Sequence, residues 1–173
     1  MANVLVFGHQ NPDNDAIMSA VVLSQLLNQV EYAGNTYEAC ALGALPAESA
    51  KLLTDAGVAE PRQIASVEEG QLVVLTDHNE SAQSVEGLKS ATVFGVVDHH
   101  RIGDFETAGP LHYLAFPWGS SCTIVTKVAQ MLGIELSDVQ AKLLLSAMMT
   151  DTLMLKSPTT TDVDRAVAAQ LGE

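Results

Sequence analysis

The sequence has few cysteines and few basic residues, and both shortages narrow its possible functions. Cys40 and Cys122 are the only cysteines among 173 residues, which argues against a disulfide framework or a cysteine-based zinc site. Only 8 lysines and arginines stand against 21 acidic residues, giving a net charge of −13. A nucleic-acid surface needs a basic stripe, so we expect a protein that does not bind nucleic acid.

Long apolar runs and targeting signals are also missing. No stretch approaches the ~20 apolar residues that a membrane-spanning helix requires. Residues 1–8 carry neither a basic segment nor a small-residue cleavage pattern, so they indicate a buried first strand rather than a secretory signal. We therefore expect a cytoplasmic protein with no membrane partner, whose 47% hydrophobic content suffices for one well-packed domain.

Strand-like and helix-like patterns alternate along the chain. Continuous apolar runs predict buried strands, and apolar residues at helical spacing predict helices. The predicted strands are 3–8, 37–43, 71–77 and 91–98, and the predicted helices are 15–29, 47–57, 120–133, 137–149 and 161–173. This alternation predicts an α/β fold with an open, mostly parallel sheet and helices on both faces.

Aspartates and histidines lie at or soon after the carboxyl ends of three of the predicted strands. They are His9, Asp13 and Asp15; Asp77 and His78; and Asp98, His99 and His100. Each group alone has an ordinary explanation, since Asp13 and Asp15 also suit a turn and a helix N-cap. Parallel strands bring the residues at their carboxyl ends to one edge of the sheet, so together the three groups predict a metal site.

The ligand types and their number indicate the kind of metal site. A mixture of imidazole and carboxylate favours Mn, Co, Fe or Zn over Mg or Ca. The candidate ligands exceed one tetrahedral shell, which predicts two metals roughly 3.5–4 Å apart. Such a pair generates a hydroxide for displacement at phosphorus.

Three longer motifs carry a family resemblance. "HQNPDND" (9–15), "DHHRIGDFET" (98–107) and "TDTLMLKSPT" (150–159) occur in this order. Through these motifs the chain resembles the N-terminal domain of the family II inorganic pyrophosphatases, which belong to the DHH phosphoesterase superfamily. The resemblance runs from residue 3 to the end of the chain. One motif position departs from this pattern, because Thr150 stands where a serine is expected, and the hydroxyl is retained.

The resemblance implies a role for each site residue. The first metal would be held by His9, Asp13 and Asp77, and the second by Asp15, Asp77, His99 and Asp151. Asp77 would bridge the two ions, His100 would face the substrate as a proton donor or hydrogen-bond partner, and Asp98 would orient its histidine neighbours. The assignment of Asp151 as a ligand rests on the resemblance alone, since helical periodicity would predict a solvated residue at this position. The roles of His78 and Lys156 stay open.

The same resemblance implies the activity. It predicts hydrolysis of inorganic pyrophosphate to two phosphates with two Mn or Co ions, with Mg arriving on the substrate and a homodimer formed through this domain. Family members resemble two-domain clamps whose second domain grips the phosphates with lysine and arginine. We expect residues 1–173 to be a single domain without that clamp and with reduced activity alone.

Two other functions compete with this hypothesis. A phosphodiesterase or exopolyphosphatase of the same superfamily would need more basic surface and more aromatic residues for stacking bases than 5% aromatic content provides. A catalytically silent module that binds metal or mediates dimerisation belongs to a different class.

Overall fold

A computed structural model describes all 173 residues and contains one six-stranded sheet. The strands are β1 (Asn3–Phe7), β2 (Thr36–Ala41), β3 (Arg62–Gln63), β4 (Leu72–Thr76), β5 (Thr92–Asp98) and β6 (His112–Ala115). Every neighbouring pair is parallel, in the order β3-β2-β1-β4-β5-β6. The predicted α/β class with an open parallel sheet is confirmed. The strand patterns missed β3, which is two residues long, and the edge strand β6.

Five α-helices accompany the sheet. They are α1 (Asn14–Gln29), α2 (Ala47–Asp55), α3 (Ser121–Met131), α4 (Asp138–Asp151) and α5 (Asp162–Leu171). Asp13 caps α1 by accepting a hydrogen bond from the Ala16 amide at 2.9 Å. Ser137 and Thr161 begin α4 and α5 with reciprocal capping boxes, which satisfy amides that have no partner inside the helix. None of these helices combines the length and apolarity needed to cross a membrane.

The two faces of the sheet are covered differently. A cluster of 27 buried residues on one face includes side chains from all five α-helices. A second cluster of 7 buried residues lies on the other face; six come from alternate strand positions, Val85 comes from a loop, and none is α-helical. The 3₁₀ turn Leu88–Ser90 and the loop before β6, through Phe105 and Leu111, pack against this second face. All the α-helices therefore pack on one side, so the predicted placement of helices on both faces is wrong. The connection from β4 to β5 contains only 3₁₀ turns, and short turns provide the cover on the other face.

The side of the sheet on which successive strands are added changes between β1 and β4. From β1 the chain proceeds outward to β2 and β3, whereas β4 leads the opposite way to β5 and β6. Such a reversal opens a crevice at the carboxyl ends of the strands, where α/β proteins bind ligands. Gly8 brings this crevice close to α1, because a Cβ there would lie 2.5 Å from the Cβ of Ala16. The loop that carries His9 and Asp13 is therefore pressed against the start of α1.

Candidate metal centre

The six candidate ligands lie together at this crevice. The ligand atoms of His9, Asp13 and Asp77 lie within 4.8 Å of one another, and those of Asp15, His99 and Asp151 do the same. Asp77 stands between the two groups. Its Oδ2 is 3.2 Å from Nε2 of His9, and its Oδ1 is 3.1 Å from Nε2 of His99. One carboxylate thus faces both groups with a different oxygen.

His9 and His99 use their two ring nitrogens in the same way. Nδ1–H of His9 donates to the main-chain carbonyl of Gln10 at 2.7 Å, and Nδ1–H of His99 donates to the carbonyl of Trp118 at 2.8 Å. In both residues Nε2 therefore points at the carboxylates. Metal-bound histidines characteristically use their second nitrogen in this way, since it fixes both tautomer and ring direction.

Asp15 is held by the first turn of α3. Its buried carboxylate accepts hydrogen bonds from the Ser120 hydroxyl at 2.7 Å, the Ser121 amide at 2.8 Å and the Cys122 amide at 3.0 Å. The Ser121 hydroxyl also donates to Asp77 at 3.0 Å. Ser120 and Ser121 were missed by the sequence reasoning. They come soon after β6, so the strand-end argument would have found them had β6 been recognised.

The Asp98 carboxylate orients the His100 ring through hydrogen bonds. Its Oδ1 accepts from Nδ1–H of His100 at 2.8 Å and from the amides of His99 and His100. Its Oδ2 accepts a hydrogen bond from the buried side-chain amide of Asn79. The same amide group donates to the Arg101 carbonyl and accepts from the Gly103 amide. Since Nδ1 of His100 is engaged by Asp98, its Nε2 is the nitrogen left to act outward. Asn79 is a second residue that the sequence reasoning missed.

Ionisation within the cluster reflects crowded carboxylates that have histidines, but no lysine or arginine, beside them. Burial opposes protonation of His9 and His99, but hydrogen bonds to nearby carboxylates outweigh it and raise their pKa values to about 11 and about 10. Burial would raise the pKa of Asp77, but the two histidines lower it below its usual range. Burial and neighbouring carboxylates raise the pKa of Asp151 to about 6 and that of Asp15 well above its ordinary value.

This donor set fits divalent transition metals. No lysine or arginine makes an ion pair with Asp15, Asp77 or Asp151, and only histidines stand opposite them. Protons on His9 and His99 balance the carboxylates when no cation is bound. Cations would balance the same charge with the histidines neutral, and mixed imidazole and carboxylate ligands suit Mn, Fe, Co or Zn.

Backbone strain is concentrated in the same loops. Of seven non-glycine residues with positive φ, five lie at or near candidate ligands: Asn11, Asp77, Leu153, Met154 and Leu155. Asp77 itself has a φ of 61°, a conformation that costs an L-residue of order 1 kcal/mol. Strained residues often cluster where a protein must aim functional groups, so this distribution supports the assignment of the site.

The residues left open by the sequence lie outside the ligand groups. His78 is buried, with Nδ1–H donating to the Thr76 carbonyl and Nε2 accepting from the Ser84 hydroxyl, each at 2.8 Å. Burial lowers its pKa to about 4, so it links two turns as a neutral ring. Lys156 is exposed and makes no ion pair with an acidic side chain.

Two cavities flank the candidate ligands. One of about 720 Å³ is lined by His9, Asn11 and Arg101, and another of about 450 Å³ by His99, Asp151 and Thr159. His100, with its side chain half exposed, lines both. A small anion could therefore approach the cluster and reach His100 at the same time.

Comparison with known proteins identifies related sequences. Residues 3–155 match the model of the DHH family, N-terminal domain. Proteins named "Probable manganese-dependent inorganic pyrophosphatase" from Streptococcus agalactiae serotypes Ia and V are each 47% identical over the whole chain. The chain spans 56% of the length of these curated relatives.

Two solved structures are also similar. A crystal structure from Methanococcus jannaschii, named provisionally as a family II inorganic pyrophosphatase, matches 98% of this chain with a TM-score of 0.86 and 36% identity. This match covers 54% of the archaeal chain. An exopolyphosphatase-related protein from Bacteroides fragilis matches 98% of this chain and 52% of its own, with a TM-score of 0.71 and 18% identity. At that identity the second likeness shows the fold alone.

Proposed function

Because the chain belongs to the DHH family as its N-terminal domain, we propose that it is the metal-binding half of an enzyme that hydrolyses inorganic pyrophosphate to two phosphates. The streptococcal relatives are named for that manganese-dependent activity, and their alignment covers all of this chain at 47% identity. We propose residues 1–173 as a single domain, to which a substrate clamp from another part of such an enzyme would be added.

Two manganese or cobalt ions would occupy the crevice. The first would be held by His9, Asp13 and Asp77, and the second by Asp15, Asp77, His99 and Asp151. The observation that carries this proposal is the common hydrogen-bonding pattern of His9 and His99. In each, Nδ1–H donates to a main-chain carbonyl and Nε2 faces carboxylates. Bound divalent ions supply Lewis-acid stabilisation of phosphoryl oxygens and a nucleophile at neutral pH. Magnesium would arrive with the pyrophosphate.

His100 would act on the substrate rather than on the metals. Its hydrogen bond to Asp98 raises its pKa, against the effect of burial, so the ring keeps a proton to higher pH than a free histidine. Nε2 of this ring makes no hydrogen bond within the chain, because the hydrogen bond between His100 and the Asp98 side chain uses Nδ1. From that atom a proton can pass to the phosphate that leaves when the bridging P–O bond breaks.

Substrate preference tests this function. With Mn²⁺ and Mg²⁺ present, we expect phosphate release from pyrophosphate and no release of nitrophenol from p-nitrophenyl-thymidine monophosphate. The phosphodiesterase alternative predicts the reverse order, and a silent module predicts neither product above the metal-free blank. Steady-state phosphate and nitrophenol assays on one preparation separate the three.

Manganese is expected to stabilise the fold, and more strongly as the pH rises. A ligand at 100 times its Kd adds about 2.7 kcal/mol to the free energy of unfolding. In the metal-free chain His9 and His99 hold protons up to a pKa of about 11 and about 10, and metal must displace them. Each displaced proton makes the apparent affinity rise by about tenfold per pH unit.

The metal-free chain should show the opposite dependence on pH. Both histidines have pKa values raised by folding, so their stabilising effect is complete below the unfolded pKa of about 6.5 and declines as the pH rises through about 10 and about 11. The gap in Tm between Mn²⁺-loaded and chelated protein should therefore be wider near pH ~8 than near pH ~6. A chelated sample of verified zero metal content with an unchanged Tm would contradict the metal site.

We also propose that two copies associate through this domain in the cytoplasm. The edge strand β6 has β5 on one side and no strand on the other, and exposed Phe116 lies directly after it in the chain. Both cysteines are free and buried, as is usual in a reducing compartment. Sedimentation velocity distinguishes one chain from two.

A further inference from the structure

Asp164, in the first turn of α5, is a fully buried carboxylate outside the candidate ligand set. It accepts hydrogen bonds from the Thr161 amide and hydroxyl at 2.8 and 2.7 Å, from the Gly119 amide at 2.8 Å and from the Thr123 hydroxyl at 2.6 Å. No lysine, arginine or histidine pairs with it. A buried carboxylate without a cation is costly unless its oxygens are fully hydrogen-bonded, so this geometry depends on all four donors.

The segment held by Asp164 is the one that holds the candidate ligands. We name residues 118–122 the α3 lead-in segment. Its Trp118 carbonyl accepts from His99, its Ser121 hydroxyl donates to Asp77, and its first-turn donors bind Asp15. Three ligands from three other parts of the chain therefore rest on five consecutive residues.

Gly119 joins Asp164 to this segment at a very close approach. A Cβ on Gly119 would lie 2.7 Å from Cγ2 of Thr152 and 3.0 Å from Oδ2 of Asp164. Only glycine lets the main-chain amide reach the carboxylate here. Thr152 directly follows Asp151, so the same contact also brings the end of α4 against the α3 lead-in segment.

We propose that Asp164 is a positioning residue for the metal centre. By fixing the Gly119 amide and Thr123, it sets where the α3 lead-in segment presents its donors to Asp15, Asp77 and His99. This inference rests on the proposed function for the identity of the ligands. It adds a residue from α5 that touches neither metal nor substrate and on which the shape of the ligand set depends.

Two substitutions at Asp164 separate positioning from general support of the fold. Asp164→Ala leaves the Gly119 and Thr161 amides without an acceptor, and we expect Mn²⁺ affinity to fall ~10–100-fold, as for other residues that orient metal ligands. Asp164→Asn keeps one acceptor oxygen for those amides, while the Thr123 hydroxyl can turn to accept from the new amide group. We expect Asn to restore most of the affinity.

The affinity is measured by electron paramagnetic resonance of free Mn²⁺, at a temperature where circular dichroism shows every variant folded. Asp162→Ala is the matched control, since Asp162 lies in the same helical turn with its side chain fully exposed, and it should leave the affinity at the parental value. Gly119→Ala should reproduce the loss without altering any carboxylate, whereas Gly109→Ala, whose Cβ would meet nothing within 4 Å, should not.

A second readout uses the metal-free chain. Because Nδ1–H of His99 is bonded to the Trp118 carbonyl and its side chain is 11% exposed, we expect a slowly exchanging resonance in the parent and in Asp164→Asn that is lost in Asp164→Ala. A lower Tm with parental Mn²⁺ affinity and a parental His99 signal in both Asp164→Ala and Gly119→Ala would overturn the positioning role. Failure of the parent chain to bind Mn²⁺ would overturn the proposed function instead, and the His99 signal would still decide the positioning.

Discussion

Asp77→Ala is expected to abolish stable binding of both metal ions, a larger effect than any other single substitution in the crevice. Asp77 presents one oxygen to His9 and the other to His99, so its loss removes a ligand from both groups. Asp13→Ala and Asp15→Ala each disturb one group and should cost less. The loss for Asp77→Ala should exceed the ~10–100-fold typical of a residue that only orients a ligand.

His100→Ala is the informative contrast to this loss. Its Nδ1 is already engaged by Asp98 at 2.8 Å, while the nearest oxygen of Asp77 is 3.8 Å away. We therefore expect metal binding in His100→Ala to stay near the parental value while phosphate release falls ~10²–10⁴-fold, the usual contribution of a positioned proton donor.

Metal content per chain, measured by elemental analysis after gel filtration, checks both expectations. Asp138→Ala is a suitable control, because Asp138 is an exposed acidic residue in the first turn of α4. Equal losses in His99→Ala and His100→Ala would show that the two histidines have been assigned to the wrong roles.

The second large effect concerns the isolated chain. Loaded with Mn²⁺, residues 1–173 are expected to hydrolyse pyrophosphate at least ~10²–10³-fold more slowly than a full-length streptococcal relative, the loss typical of removing one preorganised electrostatic donor. KM should rise and kcat should fall, because a clamp contributes both to substrate binding and to transition-state stabilisation.

The charges of the chain explain this expectation. Four carboxylates would neutralise two divalent ions, so the loaded crevice carries little net positive charge to attract pyrophosphate. Arg101 lies near it but pairs with Glu80 at 3.2 Å with its side chain 82% exposed. A second domain that supplies lysine and arginine would balance the substrate charge and exclude water, which strengthens every interaction inside the closed site.

Steady-state phosphate release measures the difference, with the metal-free chain and Asp77→Ala as blanks and the full-length relative as reference under the same metal concentrations. Equal turnover by the short chain would mean that the clamp is dispensable and that the charge argument is wrong.

The fold class and the gathering of most candidate ligands at one sheet edge could be predicted from the amino-acid sequence. Apolar runs mark β1, β4 and β5 because strands buried on both faces need apolar residues throughout. Parallel strands end at a common edge, so the residues after those strands, His9, Asp77 and His99 among them, could be placed together without any knowledge of tertiary contacts. The edge strand β6 escaped this reasoning because its half-exposed residues give a weaker signal.

The polar side chains that hold the candidate ligands in place could not be predicted, because they come together only when the helices and strands pack. Asp151 ends a helix, where no local pattern distinguishes it from a solvated residue, and only the family resemblance pointed to it. Ser120 meets Asp15 across 105 residues of sequence, and Thr123 meets Asp164 across 41. Periodicity reports which face of an element is buried, whereas hydrogen bonds between elements depend on how those elements pack. A single polar residue brought in by packing leaves no repeating pattern in the sequence to reveal it.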